Sequence, residues 1–181
     1  FAMSVVAAEG LLMQPQLVLR VEDPQTKATI LSYGPRSRGR AISATTAAQM
    51  ATLLRAVCGK GGTAPIADIP GYEVAGKTGT TQKYLPELMP SGKIKLMPSR
   101  KHHVASFVGF FPASRPQIVI SVIVDDADAA CPGGIAYGGK VAAPSFRRIG
   151  EQLIPLLDRS AGSRTSPATT VNRVALQGIR P

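Results

Sequence analysis

Two short runs, residues 104–111 (Val-Ala-Ser-Phe-Val-Gly-Phe-Phe) and 117–124 (Gln-Ile-Val-Ile-Ser-Val-Ile-Val), limit the possible folds more than any other stretch. Both are dense in β-branched and aromatic residues, which suit a pleated surface. Between them stands only Pro112-Ala113-Ser114-Arg115-Pro116, too short for a crossover and typical of an antiparallel hairpin. An antiparallel sheet is therefore expected. The second run is interrupted by Ser121 and stopped by Asp125 and Asp126, far short of the roughly 20 apolar residues that span a bilayer.

Other segments add strands and helices around this hairpin. Residues 1–8 read as the end of a helix, with Gly10 near its C-terminal cap. Residues 16–21 and 29–33 read as a second hairpin, turned at Asp23-Pro24-Gln25-Thr26, where Pro presets φ. Residues 36–40 look like a polar connector. A helix over residues 43–58 follows, with Thr46-Ala47-Ala48-Gln49 as a capping box, Met50, Leu53, Leu54 and Val57 on one face, and Gly59 as its stop.

Residues 72–81 suit a strand, whereas residues 84–103, carrying Pro86, Pro90 and Pro98, read as a mobile loop. Glycines of the 130–139 stretch precede a last helix over residues 142–157, with Pro144 in its first turn and Phe146, Ile149, Leu153 and Leu156 or Leu157 on one face. The expected class is α+β: strands 16–21, 29–33, 72–81, 104–111 and 117–124 in one antiparallel sheet, with helices 43–58 and 142–157 covering one face. Residues 1–158 form the domain, and 159–181 a polar basic tail.

At 181 residues and 44% hydrophobic content, the chain can build one real core but not two full domains. It begins at Phe1 and reads as a piece of something longer. Its 21 Lys and Arg against 11 Asp and Glu, a net +10, favour anionic surroundings without choosing among them. No reading module or aromatic-basic interleaving accompanies the charge, so nucleic acid is not an expected partner. Cys58 and Cys131 lack metal spacing; two free thiols are the simpler reading, with a disulfide as the alternative. His102 and His103 point to opposite faces of a strand and lack a third ligand, so no metal is expected. Asp125, Asp126 and Asp128 read as a solvated acidic loop.

Chemistry concentrates in Gly76-Lys77-Thr78-Gly79-Thr80, which admits two readings. Residues 71–78 fit G-x-x-x-x-G-K-[ST], the phosphate loop of nucleotide binders. A phosphate loop follows an apolar strand and opens a helix, but here two prolines precede the motif and Gly79, Thr80, Thr81 and Pro86 follow. The second reading makes Lys77-Thr78-Gly79-Thr80 a strand bordering an acyl-transfer site. Lys would supply fixed positive charge, hydroxyls would bind a substrate carboxylate, and Gly would allow close approach.

Several segments in order support the second reading. Gly62-Thr63-Ala64, residues 74–83 (Val-Ala-Gly-Lys-Thr-Gly-Thr-Thr-Gln-Lys), residues 105–113 and the glycine turn Gly138-Gly139 leading into residues 140–146 together resemble the C-terminal part of the transpeptidase domain of class B penicillin-binding proteins. Residues 1–18 resemble the helix, Gly turn and strand after that family's middle motif. The resemblance implies a peptidoglycan D,D-transpeptidase of division or elongation that acylates a serine with the D-Ala-D-Ala end of a stem peptide, a donor mimicked by β-lactams. It further implies Lys77 and Thr80 as catalytic residues, Thr78, Gly79 and Thr80 as substrate-binding residues, and no cofactor or metal. Expected surroundings are extracytoplasmic or periplasmic, with a membrane anchor elsewhere in the full-length protein and cell-wall synthesis proteins as partners. A non-catalytic scaffold is the alternative.

That chemistry needs S-x-x-K, a serine with a lysine one helical turn later. No S-x-x-K or S-x-N occurs in the chain. This polypeptide alone is therefore expected to be inactive, its site completed by an upstream part carrying S-x-x-K. The family's all-helical region lies upstream too, so apolar surface on the sheet is expected to need a partner.

Overall fold

In the computed structural model, which describes residues 1–127 and 136–162, the expected hairpin is the centre of a three-stranded antiparallel sheet. Elements follow in the order α1 (Ala2–Ala7), β1 (Leu11–Met13), β2 (Arg20–Glu22), β3 (Thr29–Ser32), β4 (Ser37–Arg40), α2 (Ala44–Cys58), a 3-10 turn (Pro65–Ala67), β5 (Ala75–Leu88), β6 (Ile94–Phe111), β7 (Ile118–Ala127) and α3 (Gly138–Gly162). The main sheet runs β5-β6-β7 and leaves β5 as an edge.

The first hairpin does not join it. β2 pairs with β3, and β1 pairs with β4, as two separate ribbons. A single five-strand sheet is thus incorrect: these strands are only three or four residues long and pair only with one another. Residues 36–40, expected as a connector, supply β4.

The largest difference lies at residues 84–103. Only residues 89–93 form a turn there: β5 and β6 stay paired from Ala75 with Phe110 out to Leu88 with Ile94, with one register shift between Gln82 and Tyr84. Alternation of apolar and polar residues suffices for a two-stranded ribbon, and Pro86 and Pro98 are tolerated because the ribbon has outer edges. Asp125 and Asp126 likewise lie on β7 rather than in a loop. Asp128 and Cys131 lie outside the described residues.

α2 starts where expected, but its cap is Ser43, whose Oγ accepts from the Thr46 amide at 3.0 Å. α3 begins at Gly138, so Pro144 sits past the first turn, inside the helix, where it contributes no amide hydrogen. The two helices do not share one face of the sheet. α3 places Ala142, Ala143 and Phe146 against Phe107 and Phe111. On the opposite face, Leu54 of α2 meets Ala75 and Phe110, with α1 alongside, while Cys58 at the end of α2 reaches the α3 side.

The core on the α3 side is aromatic. Phe107 and Phe146 meet edge to face at 4.8 Å between ring centroids, with Phe111 6.1 Å from Phe146. Such pairs add to area burial and fix the angle at which α3 crosses the sheet. Along β7, Ile118, Ile120, Val122 and Val124 turn toward this core, leaving Val119, Ser121 and Ile123 exposed on the other face.

Candidate active site

Gly76-Lys77-Thr78-Gly79-Thr80 lies at the start of β5, on the edge of the sheet. This excludes the phosphate-loop reading, because Lys77 and Thr78 stand in mid-strand and no helix opens behind them. Cross-strand partners are Val108 for Lys77, Phe107 for Thr78, Ser106 for Gly79 and Ala105 for Thr80. Lys77 and Thr80 are exposed, and Thr78 and Gly79 half-buried.

Polar groups converge here from three elements. The Lys77 Nζ donates to the Thr78 carbonyl at 3.1 Å and lies 3.4 Å from Thr78 Oγ1. Thr63, in the turn after α2, places its Oγ1 3.3 Å from Thr78 Oγ1. Thr80 Oγ1 accepts from the Gly138 amide at 3.0 Å, which satisfies a donor at the start of α3.

Glycine is what lets the helix end sit so low. A Cβ on Gly138 would lie 2.1 Å from the Ser106 carbonyl oxygen and 2.4 Å from that of Gly79. A Cβ on Gly79 would lie 2.4 Å from Ser106 Oγ. At Gly138 the overlap is with backbone and cannot be relieved without shifting the helix end, whereas at Gly79 it is with a side-chain hydroxyl that would have to turn away.

Together Thr63, Thr78, Thr80, Tyr137, Gly138, Gly139 and Lys140 line a cavity of about 300 Å³. Its lining offers hydroxyl groups, the amide end of a long helix and the Lys140 ammonium, which lies over the Tyr137 ring at 5.7 Å, groups of a kind that suit an anion. Sequence reasoning had singled out Lys77, Thr78, Gly79 and Thr80, and the fold places all four at or beside this cavity. It missed Thr63 and Lys140 as wall residues. Both stand in segments already conspicuous for glycine, Gly61-Gly62-Thr63 and Gly138-Gly139-Lys140; what pointed nowhere was that the two segments meet.

Other titratable groups lie apart from it. Lys83, His102, Asp125 and Asp126 link three strands at the far end of the sheet: Lys83 Nζ is 3.1 Å from Asp125 Oδ1, and His102 Nδ1 is 2.7 Å from Asp126 Oδ1. That hydrogen bond holds the Asp126 carboxyl below its ordinary value. Cys58 is buried, and burial, reinforced by the Asp68 charge, pushes its thiol up to about 12.

An antiparallel sheet backed by a helix whose N-terminus faces an edge strand reading Lys-Thr-Gly-Thr defines a recognisable class. A family model of the penicillin-binding protein transpeptidase domain matches residues 1–151, and the chain belongs to that family. It is 35% identical over 156 residues to stage V sporulation protein D of Bacillus subtilis, covering 86% of this chain and 22% of that protein. It is also 35% identical over 135 residues to the probable peptidoglycan D,D-transpeptidase FtsI of Caulobacter vibrioides, covering 70% of this chain and again 22% of the relative. These relatives are class B members of the family.

Solved structures agree. The D,D-transpeptidase domain of a peptidoglycan glycosyltransferase from Eggerthella lenta superposes with TM-score 0.64 at 28% identity, over 86% of this chain and 31% of that one. Penicillin-binding protein A of M. tuberculosis, as a penicillin G acyl-enzyme complex, gives 0.61 at 27% identity over 84% and 30%. The α+β class is thereby established. The chain spans about a fifth of the length of the two curated relatives.

Proposed function

We propose that this chain supplies one wall of the acyl-transfer site of an extracytoplasmic peptidoglycan D,D-transpeptidase, and that it is inactive without polypeptide carrying S-x-x-K. The observation that carries the reading is the convergence of the Lys77-to-Thr80 edge strand with the amide end of α3 around one small, hydroxyl-lined cavity. A donor stem peptide ends in a carboxylate and binds in extended form, and an open strand edge beside an anion-binding cavity suits both features.

In this assignment Thr78 and Thr80 donate their hydroxyl hydrogens to the terminal carboxylate. Thr80 can do so while accepting from Gly138, because a hydroxyl offers one donor and two acceptor sites. The Thr80 amide stabilises the oxyanion as the serine oxygen adds to the D-Ala-D-Ala carbonyl. Lys77 holds positive potential beside that serine, and Gly79 leaves room for the peptide backbone. The carbon–nitrogen bond then breaks, D-Ala leaves, and the acyl group passes to an amine of a neighbouring stem. The serine and the lysine that takes its proton come from outside these 181 residues, since no S-x-x-K is present. The same geometry receives β-lactams. Among the described residues no helix is long and apolar enough to cross a membrane.

A fluorescent penicillin tests this directly. The chain alone should take no covalent label, and the chain joined to its S-x-x-K-bearing part should take one that survives denaturing electrophoresis. Labelling of the isolated chain, or none in the joined protein, would sink the assignment.

A further inference from the structure

Past Gln82 and His103 the β5–β6 ribbon runs on without β7, whose last pairing is Ala127 with His103. Five cross-strand pairs make up this arm: Tyr84 with Pro98, Leu85 with Met97, Pro86 with Leu96, Glu87 with Lys95 and Leu88 with Ile94. Partners share a face and successive residues alternate. One face of the arm therefore consists of Tyr84, Pro86, Leu88, Ile94, Leu96 and Pro98, with no polar position in it. This face is uncovered: Leu88 is 72% exposed, Ile94 73%, Leu96 60% and Tyr84 65%. Isolated two-stranded ribbons are marginal in water, and an apolar face of this kind marks an interaction surface.

Three features say what covers it. The most exposed apolar residues, Leu88 and Ile94, flank the turn at the tip, which the Met89 amide closes onto the Lys93 carbonyl at 2.9 Å. A protruding tip needs a partner without a matching groove, and a fluid bilayer surface is such a partner. Charge points the same way. Lys93 stands in the tip turn, and Lys95 lies next to it on the other face of the ribbon, across from Glu87, the only acidic residue between 84 and 103; cations beside an apolar tip are drawn to anionic headgroups. Lastly, Pro86 and Pro98 each remove a backbone donor from the ribbon, which discourages pairing with another strand. Contact is left to the side-chain face.

We propose that the β5–β6 arm docks tip first on anionic bilayers, seating Leu88, Ile94 and Leu96 at the acyl boundary, with Lys93 in the tip turn and Lys95 on the other face of the ribbon extending their long stems to the headgroups. Tyr84, four residues behind Leu88 and so about 13 Å from the tip at ~3.3 Å per residue, reaches the headgroup layer, where its amphipathic ring is favoured. Insertion is shallow, and all backbone pairing stays within the ribbon.

Flotation of the 181-residue chain with vesicles of phosphatidylcholine mixed with phosphatidylglycerol tests the proposal. Binding should be strong to mixed vesicles, weak to phosphatidylcholine alone, and reduced by salt. Leu88→Asp with Ile94→Asp should lower partitioning at least about tenfold, and Lys93→Gln with Lys95→Gln about thirtyfold on mixed vesicles only. Leu31→Asp, on the exposed β2–β3 ribbon, should change nothing. All are surface positions, and unchanged circular dichroism would show the fold intact. Absence of flotation, or flotation unaffected by the Leu88 and Ile94 changes, overturns the proposal. So does a dimer in sedimentation velocity that those same changes dissolve, which would make a second copy the occupant.

Discussion

Thr80 and Gly138, 58 positions apart in the chain, are joined by a hydrogen bond of 3.0 Å from the glycine amide to the threonine hydroxyl oxygen. The strand that carries the family motif thus caps the helix that closes the cavity. Removing the acceptor leaves a helix-terminal donor without a partner. Thr80→Val should destabilise the chain by about 1 kcal/mol, and Thr80→Ser should restore most of it. Urea unfolding midpoints at unchanged slope would report both.

Gly138→Ala tests the close approach of α3. With a Cβ 2.1 Å from the Ser106 carbonyl oxygen, backbone must shift, at a cost of about 1–3 kcal/mol. In the complete domain the same change should slow acylation by penicillin, since the helix end would lift away from β5. A variant as stable and as reactive as the parent would show that the contact is dispensable.

Lys77→Met should leave the fold intact, the side chain being exposed. In the complete domain it should lower the rate of covalent penicillin labelling by about a hundredfold or more, the scale for one preorganised donor at a developing charge. Stopped-time gel fluorescence would measure it.

Cys58 should be inert to a disulfide reagent in the native protein at neutral pH and react on unfolding, because its thiol is buried and pushed up to about 12. Cys131→Ser isolates the signal. A raised folded pKa means that stability is undiminished below the ordinary thiol value of 9.0 and falls as pH climbs from there toward 12. Cys58→Ala should flatten that alkaline limb.

Asp126 behaves with the opposite sign. Its carboxyl is lowered chiefly by the His102 hydrogen bond, so its contribution is present above the ordinary Asp value of 3.8 and is lost as pH falls through the lowered folded value. Asp126→Asn keeps a residue suited to the φ of +57° there. The stability gap between parent and variant should close in acid, as followed by thermal melts across pH.

Some of this was legible in the linear order of residues. The β-rich runs at 104–111 and 117–124 with their Pro-bounded connection sufficed for the central hairpin, since strand preference and turn length are local properties. The apolar face with Leu54 and the stop at Gly59 placed α2 to within a residue, although its cap is Ser43 and not the expected box at Thr46, and Lys77-Thr78-Gly79-Thr80 stood out as a motif whose reading came from the family resemblance of the segments around it. At residues 84–103, prolines outweighed alternation in the reading, and a ribbon was mistaken for a loop.

What the chain could not reveal by itself was whatever depends on residues far apart meeting in space. That β1–β4 and β2–β3 stay outside the main sheet is a matter of which strands meet, not of any one strand's preference. That Thr63 and Lys140 wall the same cavity follows from α3 crossing the sheet on Phe107, Phe111 and Phe146. Local preference chooses strand or helix one segment at a time; only close packing of side chains, which is not additive along the sequence, decides which segments share a site.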